Sequence, residues 1–468
     1  MKETLKIGVS GVRGVVGESF TPQLAASFAQ AFGAFVGEGP VLVGRDTRPS
    51  GAMVEWAVIA GLQSVGCKPV ITGVIPTPSL LFRVRHERAR GGIMITASHN
   101  GAQWNALKFV DRRGLFFDAI HAEELFDLYH QQDFPYVGES ALRGAVQRES
   151  AVDPHFEKVA DYVDAAAIRA AGLRVAVDCC NGVGAIHTRP FLEQRLGCRV
   201  TTLFDAPSGC FERDPEPLAE HLGALSEAVT AERCAIGFAH DPDGDRLAVV
   251  DETGQPIGEE ITVALAVQSV LTHHGTGPVA ATLSSGKSIQ RVVEAAGASL
   301  TSTRTGEVHV VETLLRIGGV VGGEHTGGII IPAIHPCRDS YAGMAVILER
   351  MALTGRSVSD LCREIPRYCL VKKKIPIGAE EAPRILRRLR NRYEGHRLNF
   401  LDGLFVDFGD RWVHVRRSNT EPVLRIIAEA PTGGESEALI DEVRACTVDS
   451  CSTDSIQPAR NDVHPGRR

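Results

Sequence analysis

Three aspartates stand at alternate positions in the segment His240-Asp241-Pro242-Asp243-Gly244-Asp245-Arg246. Carboxylates spaced i, i+2 and i+4 in a loop can turn several hard oxygens toward one cation. An EF-hand calcium loop is the rival reading, because Glu252 falls at its twelfth position. Arg246, however, occupies the sixth position, where that loop needs glycine for its sharp turn. The flanks, 235–239 and 247–250, are short apolar runs that read as strands, not helices. The pattern therefore favours Mg²⁺ over Ca²⁺, in a loop between two strands. A second cluster, Thr96-Ala97-Ser98-His99-Asn100, directly follows the apolar run 92–95. A serine at the carboxyl end of a strand sits where open α/β sheets place ligands, and backbone amides of the next turn can hold an anion there. Asn105 and Lys108 come soon after. Lys108 could act as a cation or, with a depressed pKa, as a proton carrier.

Three further clusters carry complementary chemistry. In Gly322-Gly323-Glu324-His325-Thr326-Gly327-Gly328 the glycines let backbone approach a ligand closely. Glu324 can accept hydrogen bonds from two hydroxyls, and His325 is either a proton relay or a surface residue. Arg416-Arg417-Ser418-Asn419-Thr420-Glu421-Pro422, followed by Arg425, combines cations, a hydroxyl and an amide that suit a phosphate which does not react. Ser10-Gly11-Val12-Arg13-Gly14 lacks the strand-then-helix context of a dinucleotide fingerprint, so Arg13 is better read as a phosphate contact. Each cluster alone has an ordinary explanation: a capped strand end, a solvated acidic turn, a glycine-rich strand end, a charged β-turn. Together they supply what phosphoryl transfer requires: a nucleophile or donor, a cation, charge-compensating arginines and substrate positioning.

The elements that must position these residues are legible in outline. At about 100–200 residues per domain, 468 residues imply three or four domains. Thr21-Pro22 opens a helix with apolar positions Leu24, Phe28, Phe32 and Phe35. A strand at 41–43, the turn-rich Gly44–Gly51, a helix over 51–65 and strands at 69–74 and 92–96 make a βαβ pattern. The pattern restarts with a strand at 173–177, a helix over 185–196 and a strand at 199–203. It restarts again with a strand at 279–283, a helix over 288–296 and a strand at 320–321. The last part differs, with a helix near 380–394, three β-like runs at 403–408, 411–415 and 424–428, and a helix near 434–447. This predicts three related α/β mixed-sheet domains, a smaller C-terminal α+β domain, and a central cleft lined by all four. The expected boundaries are 1–150, 151–254, 255–366 and 367–450, with a disordered tail over 451–468.

Composition narrows the partners. Hydrophobic residues make up 44% and charged residues 23%, and the net charge of −7 gives no basic signature for nucleic acid. A charged substrate must be drawn by a local cluster of cations. No run approaches the roughly 18 apolar residues that span a bilayer. The opening MKETLKIGVSGVRG has neither the apolar core nor the cleavage site of a signal peptide. The eleven cysteines are scattered, with no CxxC spacing. A cytoplasmic protein with reduced thiols, no membrane or nucleic-acid partner, and a monomeric or homodimeric state is expected.

On these motifs the chain resembles the α-D-phosphohexomutases, from about residue 5 to 448. The resemblance rests on TASHN (Thr96–Asn100), DxDxDR (Asp241–Arg246), GE-x-[ST]-G (Gly323–Gly327) and R-x-SNTEP (Arg416–Pro422), in order, with SGVRG (Ser10–Gly14) and GRDTRPSG (Gly44–Gly51). It implies a phosphoserine at Ser98 that binds one Mg²⁺ with Asp241, Asp243 and Asp245. Arg13, His99, Lys108 and Arg246 would surround the transferring group, and Arg416, Ser418, Asn419, Thr420 and Arg425 would hold the distal phosphate. Glu324, with His325 and Thr326 beside it, would grip the sugar. A hexose 1,6-bisphosphate would be intermediate and activator. Gly101 stands where the family usually has proline, which predicts a looser turn, and Gly328 stands where many members have histidine. The start, the Trp104–Val110 stretch and the SNTEP loop are closest to the archaeal-type phosphoglucosamine mutase branch, implying interconversion of glucosamine 6- and 1-phosphates. Phosphoglucomutase/phosphomannomutase activity on neutral hexose phosphates is the alternative. A metal-dependent serine phosphatase would need more metal ligands and no second phosphate loop. A non-catalytic sugar-phosphate-binding relative would have lost Ser98, an aspartate or Arg246.

Overall fold

The computed structural model describes residues 4–147, 152–378, 381–418 and 423–448. The expected tail, 451–468, and the site candidates Asn419 and Thr420 lie outside them. The chain divides into two compact units, Met1–Arg367 and Tyr368–Arg468.

The first unit repeats one plan three times. In the first sheet Gly39–Arg45 lies between Cys67–Val74 and Gly91–Ile95, all parallel, and Trp104–Val110 adds antiparallel to Gly91–Ile95. In the second sheet Arg174–Asp178 lies between Arg199–Leu203 and Ile236–His240, again parallel, and Leu247–Asp251 adds antiparallel. In the third, Val279–Thr282 lies between Leu300–Thr303 and Val321–Glu324, and Gly328–Ile331 adds antiparallel. The parallel strands are continuous apolar runs, such as the wholly buried Val41-Leu42-Val43, because helices cover both faces. The helix Pro22–Val36 starts as expected: Thr21 Oγ1 accepts from the Leu24 N–H, and proline fills the first turn. Phe28 and Phe32 go into the core against Phe109.

This shared plan places the chemistry. In each repeat, the third parallel strand turns back directly into its antiparallel partner. The three turns are 96–103, 241–246 and 325–327, and they carry the serine, the aspartates and the flank of Glu324. All three lie at the carboxyl ends of parallel strands, the ligand side of an open α/β sheet.

The second unit has a five-stranded sheet with adjacent strands antiparallel, in the order Cys369–Pro376, Val423–Ala430, Trp412–Arg417, Leu404–Asp407 and Arg397–Asn399. Helices Glu381–Arg392 and Gly433–Val448 accompany it. This is the expected small α+β domain. Lys372, Lys373 and Lys374 fall in its edge strand and are exposed, the usual protection of an open edge by charge. The cysteines among the described residues are free, Cys179 and Cys180 included. No helix there is long and apolar enough to cross a membrane.

Candidate active site

The serine turn is held by a buried ion pair that precedes it in sequence. Asp46 and Arg48 follow the strand Gly39–Arg45, are inaccessible to solvent, and pair at 2.9 Å through Arg48 Nε. The Arg48 guanidinium donates to three carbonyls of the turn: Ser98 at 2.5 Å, Asn100 at 2.7 Å and Gly101 at 2.8 Å. Asp46 accepts from Thr96 Oγ1 at 2.6 Å, and Thr96 Oγ1 in turn accepts from the Ser98 N–H at 3.0 Å. Arg48 thus holds the carbonyl of Gly101, which stands where the family usually has proline. Ser98 itself has φ +50°, in the left-handed region. Arg13, from the strand Gly11–Val15, donates to Asn100 Oδ1 at 2.7 Å. His99 Nδ1 lies 3.5 Å from Ser98 Oγ. Burial, then the charges of Arg246, Arg13 and Arg338, bring His99 down to about 2, so its ring stays neutral.

The aspartate turn sits against the serine. Ser98 Oγ donates to Asp241 Oδ2 at 2.9 Å, and Asp241 Oδ1 accepts the backbone N–H groups of Asp245 and Arg246, each at 3.1 Å. Asp243 Oδ2 accepts from Thr77 Oγ1 at 2.7 Å and from Lys108 Nζ at 2.9 Å. Asp241, Asp243 and Asp245 are fully buried, and one oxygen from each lies within 4.8 Å of the others. Asp243 Oδ1 and Asp245 Oδ1 are buried without a hydrogen-bond partner. Buried carboxylate oxygens lacking donors, clustered in this way, fit a hard divalent cation.

The neighbouring charges bear on the two readings of Lys108. Burial would lower its pKa, but Asp243 and Asp245 outweigh burial and hold it above its usual value. Without a metal, Lys108 is thus held as a cation against Asp243 and Asp245. Arg246 Nη1 pairs with Glu216 at 2.9 Å. Burial and the charges of Asp245 and Asp243 push Asp241 well above the carboxylate range.

The glutamate turn is joined to the aspartates by a residue that sequence reasoning missed. Arg338 donates from Nη2 to Asp245 Oδ2 at 2.6 Å and from Nη1 to Glu324 Oε2 at 2.9 Å. Its Nε lies 3.1 Å from Glu307 Oε2. Burial opposes its charge, but Asp245, Glu307 and Glu324 together raise its pKa well above the ordinary arginine value. Glu324 also accepts from the Gly306 N–H at 3.0 Å. His325 and Thr326 are half-buried in the hairpin turn that follows. Gly327 closes that turn at φ +83°, where a Cβ would meet the Leu247 carbonyl oxygen at 2.4 Å. The sugar-type loop is thus packed directly on the strand that leaves the aspartate turn.

In the second unit, Arg416 and Arg425 are direct cross-strand partners. Arg416 Nε is buried without a hydrogen-bond partner and is 3.9 Å from Asp402. Burial lowers its pKa, and Arg425 lowers it further. Like charges facing each other across a ladder cost stability, which an anion between them would offset. Ser418, buried beside them, is fixed by its N–H to the Val423 carbonyl at 3.0 Å.

Of the expected residues, Ser98, His99, Lys108, Asp241, Asp243, Asp245, Arg246 and Glu324 are linked within the first unit, with Arg13 at its edge. Thr77, Asp46, Arg48, Glu307 and Arg338 were missed as site residues. The Asp-x-Arg spacing of Asp46 and Arg48 between strand and helix was an available signal, whereas Arg338 offered none.

Family models agree along the chain. The phosphoglucomutase/phosphomannomutase alpha/beta/alpha domains I, II and III match residues 4–136, 153–254 and 258–368, and the C-terminal domain of the same family matches 369–445. A probable phosphoglucosamine mutase of Methanopyrus kandleri is 37% identical over 448 residues, 94% of this chain and 98% of that protein. A phosphoglucomutase/phosphomannomutase of Thermococcus kodakarensis is 35% identical over 431 residues, 90% of this chain and 94% of that protein. Among solved structures, a phosphoglucomutase/phosphomannomutase family protein from Burkholderia thailandensis superimposes with a TM-score of 0.81 at 26% identity, covering 94% of this chain and 97% of its own.

Two outcomes follow from this geometry. Arg48→Met leaves Asp46 buried without its partner, which should cost about 3–5 kcal/mol in urea unfolding; a loss within error of zero would show that the pair does not hold the turn. The second concerns pH. With its pKa raised, Asp241 in the metal-free fold keeps a proton that the unfolded chain has released. Stability from this group is therefore present at low pH and lost as pH rises through the raised pKa. A divalent cation takes the place of that proton, so the gain in Tm on adding Mg²⁺ should be larger near about pH 8 than near about pH 5.5. Thermal unfolding with and without EDTA measures it, and an equal gain at both would show that Asp241 is not the competing group.

Proposed function

The chain belongs to the phosphoglucomutase/phosphomannomutase family, in its archaeal phosphoglucosamine-mutase-like branch, and is an isomerase-class phosphohexomutase; from that premise we propose that it interconverts glucosamine 6-phosphate and glucosamine 1-phosphate through a phosphoserine at Ser98. The observation that carries the assignment of the serine is its Oγ at 2.9 Å from Asp241, beside two buried carboxylate oxygens without donors.

In this reading a free hydroxyl of the bound sugar phosphate attacks the phosphoryl group on Ser98. A phosphorus–oxygen bond to the sugar forms, the bond to Ser98 Oγ breaks, and the hydroxyl proton ends, net, on Ser98. The hexose 1,6-bisphosphate then turns round in place, and its other phosphoryl group returns to Ser98 by the reverse exchange. Asp241, Asp243, Asp245 and the serine phosphate would hold one Mg²⁺ per chain, whose charge offsets that of the transferring oxygens when bound. Lys108, kept protonated by Asp243 and Asp245, supplies a fixed cation, with Arg13 and Arg246 as further charge and His99 as a neutral hydrogen-bonding group.

Glu324 accepts from sugar hydroxyls, oriented by Arg338, with His325 and Thr326 beside it. Arg416, Ser418, Asn419, Thr420 and Arg425 hold the phosphate that does not react, a role supported by the facing pair Arg416 and Arg425. In this reading the domains are 1–150, 151–254, 255–366 and 367–450, in a cytoplasmic enzyme that is a monomer or homodimer. For the sugar, the support is the naming of several archaeal relatives, with the polar His325 and Thr326 beside Glu324 as the surface that would meet an amine at C2. Neutral hexose phosphates remain the second reading, favoured by the 35%-identical Thermococcus relative named for glucose and mannose phosphates.

The serine is tested by intact mass. The active protein should carry an added ~80 Da that is lost on incubation with sugar phosphate, and Ser98→Ala should lack both the mass and the turnover while staying folded. Wild-type turnover of Ser98→Ala would refute the phosphoserine. For the sugar, kcat/KM should be highest for glucosamine 6-phosphate, with weaker activity on glucose and mannose 6-phosphates. One group at C2 is worth only a few kcal/mol, about 1–3 for a small change. A preference of about tenfold or more (1.4 kcal/mol) for either neutral sugar would reverse the substrate assignment.

A further inference from the structure

His240 immediately precedes the aspartates yet has no part in the reaction above. It is wholly buried, and its two ring nitrogens face hydroxyls, Ser340 Oγ and Thr188 Oγ1. A neutral imidazole has one N–H and one acceptor nitrogen, and its neighbours decide which is which. Ser340 Oγ lies 2.6 Å from the Gly244 carbonyl and 2.9 Å from His240 Nδ1. A carbonyl can only accept, so the Ser340 hydrogen goes to Gly244, and Nδ1 must carry the imidazole hydrogen. Nε2 is then the acceptor, taking the hydrogen of Thr188 Oγ1 at 2.9 Å. The Thr188 and Tyr341 hydroxyl oxygens are 3.3 Å apart, and with the Thr188 hydrogen spent on His240, Tyr341 is left as the donor. Thr188, His240, Ser340 and Tyr341 are all inaccessible to solvent. Every donor in this chain points the same way, toward Gly244.

The Gly244 carbonyl belongs to the same peptide as the Asp245 N–H, which donates to Asp241 Oδ1. Gly244 has φ +70° and no side chain to restrain it, so this peptide plane is fixed by its hydrogen bonds: Ser340 at one end, Asp241 at the other. The other oxygen of Asp241 receives Ser98 Oγ. We infer that His240 and Ser340 are positioning residues for the cation site, and that the hydrogen-bonded chain Tyr341–Thr188–His240–Ser340 fixes the Gly244–Asp245 peptide and, through it, aims Asp241 at Ser98. The inference rests on the reading that the three aspartates hold a divalent metal.

The test is Mn²⁺ binding by the full chain, read from the free-ion signal in electron paramagnetic resonance, alongside thermal unfolding and steady-state kinetics. Ser340→Ala removes the last link and should raise the Mn²⁺ Kd about tenfold, the lower end for partners outside the first coordination shell, while KM for sugar phosphate moves by less than about twofold. Ser340→Thr keeps the hydroxyl and should bind Mn²⁺ like the wild type. The combined effect of Ser340→Ala and His240→Asn should fall short of the sum, because both cut one chain. Wild-type Mn²⁺ affinity in folded Ser340→Ala overturns the inference. Should that variant not fold, Thr188→Val, which releases the imidazole hydrogen from Nδ1, decides by the same measurement, and unchanged affinity there overturns it equally. Failure of the wild type to bind Mn²⁺ would instead overturn the reading of the aspartates as a metal site.

Discussion

Three carboxylates buried together have no stable arrangement by themselves. Each loses its hydration and repels the other two, a penalty that pairing and hydrogen bonding must offset. Around Asp241, Asp243 and Asp245 the offsets come from separate parts of the first unit. Lys108 comes from the strand beside the serine, Thr77 from the helix after Cys67–Val74, Arg338 from the last strand of the third sheet, and two backbone N–H groups from the turn itself. None of these lies close in sequence to all the others. The cluster therefore exists only when the three sheets are assembled, and the packing of the first unit is also the assembly of its charge balance. Two oxygens remain without a donor after all this, an arrangement that a divalent cation fits.

The three sheets contribute unlike chemistry from like positions. A parallel strand that turns directly into an antiparallel neighbour leaves little slack in the connection. The turn is short, and both ends are fixed by ladder hydrogen bonds. Serine, aspartates and glutamate are each presented from such a turn, and the second link between them is side-chain to side-chain: Ser98 to Asp241, Asp245 through Arg338 to Glu324. Rigid scaffolding with variable turn residues is the arrangement by which one sheet topology can present a serine, three aspartates and a glutamate within a single chain.

Much of this was legible in the residues. The buried parallel strands are unbroken apolar runs, and the aspartate spacing marked the three carboxylates that the fold brings together. The helices Glu259–His273 and Ser340–Thr354 were not legible, because both are buried on nearly every side and so carry no polar stripe for a 3.6-residue period to reveal. The edge strand Cys369–Pro376, with its three lysines, likewise reads as surface. Within the site, the two candidate states of Lys108 could not be separated from sequence, because the answer depends on Asp243 and Asp245, 135 and 137 positions away. Arg338 was invisible for the same reason: its partners Asp245 and Glu324 are 93 and 14 residues distant, and no local pattern distinguishes it from other arginines. Gly101 is a related case. Its departure from the family's proline predicted a looser turn, and the hydrogen bond that Arg48 gives its carbonyl is not visible locally.

The backbone of Ser98 bears on which amino acid can stand there. A hydroxyl nucleophile is offered equally by serine and threonine, and a phosphoryl group can be carried by either. At φ +50° the extra methyl on a β-branched side chain would crowd the main chain in a conformation that such residues almost never adopt. For the proposed phosphoserine, conformational tolerance rather than reactivity favours serine. Threonine, chemically competent, is disfavoured there by shape.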